Sequence, residues 1–347
     1  MVRLVLFLMI GVCCQVCVTP PALGADALTA LKRFSDFSTI DITRLLEGEI
    51  LSQRGSLMNF PNGISSQFCF VAPTSPAETA NRLQKWDPTR CTSLKVYVSR
   101  RLSNPCEIKE FSNLSLYLNP GHRPIKRFFD QTMATSAGTS GPNLTRSEAR
   151  ELAGCVGKDA GPKTLGACWA RLLFARASDF QRTGFAGTLP YESGETTVNP
   201  SSQIRSMLQE QVRITREFAP LLKRAGLVSD GEGVSPLRPD CFWSLFEADH
   251  RATLNLGAMY ELNVGDRRQL LSIEYYVSGT YYASATLYEI WPFRYGGKTG
   301  SLIWRGDLFA APQLRFTKGI ERIASGAIMI QEIKKEVRCF QESLAYP

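Results

Sequence analysis

Histidine is almost missing from this chain, with only His122 and His250 in 347 residues. Beyond residue 18 no two cysteines stand in CxxC spacing. Zinc sites are built from clustered Cys and His ligands, so this shortage argues against one, and nothing else points to a metal or cofactor. No dense run of Lys and Arg interleaved with aromatics occurs, which argues against nucleic acid as a partner. No stretch after residue 18 is apolar over the roughly 20 residues that a membrane-spanning helix needs. Gly296-Gly297-Lys298-Thr299 resembles the end of a phosphate loop, but its required first glycine falls on Pro292. Such a loop cannot close around phosphate.

What is present is an ordinary globular composition, 44% hydrophobic and 21% charged, unlike a disordered or collagenous chain. The length suits two domain-sized units or one large body with insertions.

The first residues set the compartment. Met1-Val2-Arg3 is a short positive start, and Leu4–Val18 follows with Gln15 as its only strongly polar side chain. Thr19-Pro20-Pro21 and a run of small residues come next. This is the order of a secretory signal peptide, expected to be residues 1–25 with cleavage after Ala25. The alternatives are a retained anchor, or a lipoprotein beginning at Cys13, Cys14 or Cys17. The expectation is a soluble exported protein, periplasmic or extracellular, whose mature part 26–347 forms a single α+β body without a stable membrane span. Losing Arg3 leaves 39 Lys and Arg against 32 Asp and Glu, a net of +7. The cations are scattered, as in Arg100-Arg101, Lys126-Arg127 and Lys334-Lys335, which reads as solvated surface. Attraction to an anionic surface is the sharper alternative.

Seven cysteines remain after the leader: Cys69, Cys91, Cys106, Cys155, Cys168, Cys241 and Cys339. In an oxidising compartment some of them pair. Short closures favour Cys155–Cys168 and Cys91–Cys106, and at least one thiol is left over. Gly154-Cys155-Val156-Gly157 has glycines flanking a possible nucleophile, but it follows a helical pattern and no histidine is tied to it.

Helices are expected at Asp26–Phe37, Asp41–Glu47, from Pro76 to Trp86, Thr145–Leu152 and Leu165–Phe180. Another runs from Asn199 to Gly226, with Asn199 as its cap, Pro200 at its first turn and a kink at Pro220. Strands are expected at Glu49–Leu51, Ile64–Val71, Leu94–Val98 and Leu114–Leu118 from apolar/polar alternation. Residues 130–143, rich in Ser, Thr and Gly, read as a linker, and 144–228 as a helical insertion. Phe242–His250, Thr253–Asn263, Gln269–Val277, Tyr281–Trp291 and Ser301–Phe309 follow as five strands joined by short turns, one of them Ser278-Gly279. Links this short make an antiparallel β-meander. A long helix, Lys318–Leu344, ends the chain. Its Ile323, Ile330, Val337 and Leu344 recur every seven residues, with Ile333 and Phe340 filling the seam. That pattern fits a helix covering the meander or, alternatively, a coiled-coil dimer, so the oligomeric state stays open.

Two constellations carry potential chemistry. Glu247, Asp249 and His250 form the densest titratable group and are the candidate catalytic residues. On one strand Glu247 and Asp249 share a face, where a buried carboxyl of raised pKa could do acid/base work in a secreted hydrolase. The second is the tyrosine-rich hairpin. By alternation Tyr281, Ala283, Ala285 and Leu287 share one face, while Tyr282, Ser284, Thr286 and Tyr288 share the other. Small residues among aromatics either admit a helix close up or line a pocket. Tyr275, Tyr282, Ser284, Thr286 and Tyr288 are the candidate binding residues for an apolar ligand with one polar end.

The order of elements over Ile64–Val98 and Phe242–Leu344 is similar to the START-like helix-grip fold. That resemblance implies a curved sheet gripping the C-terminal helix, with a lipid or other apolar small molecule lying between them. The helical block Thr145–Gly226 has no counterpart in that pattern. An uncharacterised exported binding protein is the leading expectation. The alternatives are the hydrolase and an envelope interaction protein dimerising through its last helix.

Overall fold

The structure, a computed structural model, describes residues 25–135, 142–156, 160–193, 196–228, 235–295 and 298–345. The expected signal peptide, up to residue 24, and the Gly296-Gly297 pair lie outside the described residues. The chain opens with α1 (Ala25–Phe34), α2 (Ile42–Leu46), β1 (Leu51–Arg54), β2 (Gly63–Ala72), α3 (Pro76–Lys85) and β3 (Val96–Arg101). A helical block follows as α4 (Leu114–Tyr117), α5 (Arg123–Thr135), α6 (Arg146–Cys155) and α7 (Pro162–Thr183). The hairpin of β4 (Tyr191–Ser193) and β5 (Thr196–Val198) leads into α8 (Pro200–Glu210), α9 (Val212–Glu217) and α10 (Ala219–Arg224). Five long strands run next: β6 (Asp240–Ala248), β7 (Arg251–Val264), β8 (Arg267–Val277), β9 (Ala283–Tyr295) and β10 (Lys298–Ala310). The last element is α11 (Gly319–Ala345).

Local chemistry starts the helices where the sequence says. The Ser75 oxygen accepts from the Glu78 amide with Pro76 in the first turn, and Asn199 accepts from Ser202 ahead of α8. Thr145 and Glu148 form a reciprocal capping box at α6.

Four expectations are corrected. Leu114–Leu118 is a helical turn rather than a strand: Leu114 and Leu118, four apart, are both fully buried beside α7, whereas Leu116 is exposed. The single helix 199–226 divides into three. Gln211, at the first break, buries its side chain and donates to the Ser56 carbonyl, while Pro220 has no N–H to continue the ladder. Ser278-Gly279 does not form a two-residue hairpin, because β8 ends at Val277 and β9 begins at Ala283. Its connection is tied instead by the Ser278 amide donating to the Leu254 carbonyl. The serine- and glycine-rich stretch 130–143 starts inside α5, and 136–141 lie outside the described residues.

The fold is α+β. An antiparallel sheet of eight strands has the order β1-β2-β10-β9-β8-β7-β6-β3. The meander β6 to β10 forms its centre, β2 pairs with β10 and β3 closes the far edge on β6. One face is roofed by the helical block. There Trp304 meets Phe34 edge-on at 4.9 Å and Phe218 at 5.7 Å, and Leu271, Leu287 and Leu302 are fully buried. The other face receives α3 and the C-terminal half of α11. Ile333, Val337, Phe340 and Leu344 pack there on Phe68, Phe70, Leu270, Ile290 and Ile303. Each such side chain removed from water contributes about 1.5–3 kcal/mol. The heptad positions therefore serve the sheet, except Ile323, which points to solvent.

Two disulfides form. Cys155–Cys168 matches the short closure expected from sequence, but Cys91 pairs with Cys339 instead of Cys106. Between Cys91 and Cys106 the chain runs out along β3, which separates them. Cys91 stays beside α11, while the Cys106 amide and thiol meet Gln181 and Ser178 on α7. Cys69, Cys106 and Cys241 are buried free thiols. Cys91–Cys339 spans 248 residues and Cys155–Cys168 only 13. The loop-entropy relation then gives losses of about 5 and about 3 kcal/mol for the respective double Cys→Ser variants. Urea unfolding checks this, and a smaller loss at Cys91/Cys339 would contradict it.

Candidate ligand site on the sheet face beside the terminal helix

Strand register assembles the site. Across the face shared with α11, Phe309, Ser284, Glu274, Gly257 and Phe242 stand in one row on neighbouring strands. Asp307, Thr286, Ser272 and Met259 form the next row, then Arg305, Tyr288, Leu270 and Glu261. Glu274 lies at the middle. Its carboxylate accepts from Ser284 Oγ at 2.6 Å, from the Tyr281 hydroxyl at 2.5 Å and from Asn255 Nδ2. Asn255 is itself oriented by the Ser244 amide, which donates to its Oδ1 at 2.9 Å. Burial raises the Glu274 pKa, opposed by these three donors.

Aromatic rings frame that carboxyl. Tyr281 lies 5.6 Å from Phe309 and 6.5 Å from Phe246, centroid to centroid. The tip of the Phe242 ring closes on Gly257, where a Cβ would stand 2.2 Å from Cζ and 2.6 Å from the Ile273 carbonyl oxygen. Glycine is required for that approach. Phe242, Phe246, Met259, Tyr281, Glu274, Thr286 and Phe309 all remain half-buried rather than sealed.

Toward α11 the face turns ionic. Arg305 holds Asp307 through Nε and Nη2 at 2.9–3.0 Å and reaches Glu336 of α11 at 2.9 Å. Thr286 donates to Asp307 at 2.9 Å, and Arg305 lies over the Tyr288 ring. Burial works against the Arg305 charge, yet Asp307 and Glu336 hold its pKa above the ordinary value. A buried charge needs such partners to persist. The helix is thereby docked by a charged contact as well as by its apolar stripe.

Of the sequence-predicted binding residues, Ser284, Thr286 and Tyr288 come together on this face. Tyr275 and Tyr282 lie on the opposite one: Tyr275 stacks on Phe180 at 3.7 Å, and Tyr282 packs beside Tyr191. Ala283 and Ala285 also face the helical roof, where small residues let α8 come close to β9. Sequence reasoning missed Glu274, Asn255, Arg305, Asp307 and Glu336. A usable signal was Arg305-x-Asp307 between Ile303 and Phe309, since alternation puts both charges on an apolar face.

Glu247 and His250 do approach, with Nδ1 3.6 Å from Oε1, while Lys95 Nζ reaches Glu247 at 2.8 Å. Asp249 and His250 form the two-residue β6–β7 turn, both with positive φ, and His250 is 80% exposed. Alternation ends at Ala248, so Asp249 does not share a strand face with Glu247. An open groove of about 590 Å³ lies elsewhere, between Glu47–Glu49, Val71–Pro73 and the end of α11. No family model and no curated protein matches the chain.

A fully buried carboxyl also sits under the helical roof. Glu289 accepts from Gln269 Nε2 at 2.6 Å and lies 3.2 Å from Arg267, and burial raises its pKa to about 8. With the folded value above the unfolded one, folding favours the proton, so its cost grows as pH rises from about 4.5 to about 8. Glu289→Gln imitates the protonated form. It should gain about 3 kcal/mol on the parent between pH 5 and pH 8. Denaturant midpoints across that range measure the gap, and a constant gap would contradict the assignment.

Proposed function

We propose that the mature chain is an exported protein that binds a small molecule with an apolar body between the sheet and α11. The observation that carries this reading is the partly buried cluster of Phe242, Phe246, Met259 and Phe309 around Glu274, beside the part of the same face that α3 and α11 cover. Apolar and aromatic side chains around a few fixed polar groups are the usual lining of a small-molecule site. Glu274 and Thr286 suit the polar end of the ligand, which should carry a hydrogen-bond donor for the carboxyl. Three donors already hold Glu274 in place, which favours a fixed acceptor over a mobile base. The signal-like leader and the two disulfides support an oxidising compartment.

The test is organic extraction of the purified mature protein, followed by mass spectrometry. One retained small molecule in near-equimolar amount is expected, and Met259→Arg should abolish retention without altering the circular dichroism spectrum. An empty parent protein, or equal retention by the variant, would contradict the reading.

A further inference from the structure

We propose that the first half of α11 docks the protein on an anionic membrane surface. The outer face of this helix changes character along its length. From Gln331 onward its exposed positions are polar or charged, including Glu332, Lys335 and Arg338. Before that, Ile320, Ile323, Ala324, Ala327 and Ile328 follow the helical period on one exposed face. Ile320 is 84% exposed, Ile328 66% and Ile323 54%, and Phe316 just ahead of the helix is 79% exposed. Scattered single apolar residues are normal on a surface, but a contiguous stripe marks an interaction site.

The stripe is held rigidly. Arg322, on the inner side of the same turns, donates to the carbonyls of Pro61, Phe60, Leu314 and Gly63, which pins the start of α11 to the entrance of β2. Leu57, 70% exposed, lines the same small cleft as Arg322.

Charge selects the occupant. Cations bracket the stripe at both ends, Arg315 and Lys318 before it and Lys334, Lys335 and Arg338 after it. With Arg322 they face three carboxylates over the same span: Glu321 at the stripe's edge, Glu332 paired with Lys335, and Glu336 turned inward to Arg305. An apolar face flanked by Lys and Arg is the pattern of a helix lying in the plane of an anionic bilayer, its side chains sunk to the headgroup boundary. Among the described residues no helix is long and apolar enough to cross a membrane, so the attachment is peripheral.

The experiment is co-sedimentation of the full mature protein with vesicles of phosphatidylcholine alone or mixed with phosphatidylglycerol. Binding to the mixed vesicles is expected, weakened by high salt. Ile320→Asp combined with Ile328→Asp should lower it at least about tenfold, with an unchanged melting curve because both sites are exposed. No binding of the parent to the mixed vesicles, or equal binding by the variant, would overturn the proposal. So would a dimer in sedimentation velocity that the same two substitutions dissociate, because the stripe would then belong to a second copy.

Discussion

The C-terminal half of α11 lies on strands that the chain makes in two widely separated parts. β2 lies near the start of the chain and β10 is its last strand, and only their pairing gives Phe68, Phe70 and Ile303 a common surface for Val337 and Phe340. The helix then completes that surface from above. Arg305 on β10 binds Glu336 of the helix and Asp307 of its own strand, and Cys339 ties the helix to Cys91 behind α3. Without this contact the sheet would expose an apolar face and Arg305 would lose one of its two carboxylate partners, both costly.

The same contact sets where the sheet remains open. α3 and the lower part of α11 cover the strand ends around Leu270, Ile290 and Ile303. They leave Phe309, Glu274 and Phe242 of the next row only partly buried, with Glu274 at its centre. The two faces of one sheet thus have different chemistry. The roofed face is packed with tryptophan, tyrosine and leucine, whereas the α11 face combines an apolar patch, an ionic latch and a framed carboxyl.

Much of this was legible in the residues. Alternation placed Ser284, Thr286 and Tyr288 on one face, the cap at Asn199 and the proline at Pro76 marked helix starts, and short links specified a meander. Other features depend on contacts that no local pattern encodes. Leu114-x-Leu116-x-Leu118 satisfies period two, yet burial of its outer leucines against α7 made it a helical turn. Tyr282 has the parity of Ser284, but the long 278–282 connection turns it toward Tyr191. Glu274 was invisible as a site because its donors come from β7, from β9 and from the connection ahead of β9. Cys91–Cys339 joins positions whose proximity exists only once the sheet has formed.

Amide hydrogen exchange along α11 in the oxidised protein tests the docking of this helix most directly. If Ile333–Leu344 is fixed to the sheet, its amides should exchange only through global unfolding, at the rate of those in β2 and β10. Exchange of that segment within seconds to minutes, while β10 stays protected, would show that the helix is not what holds this face together.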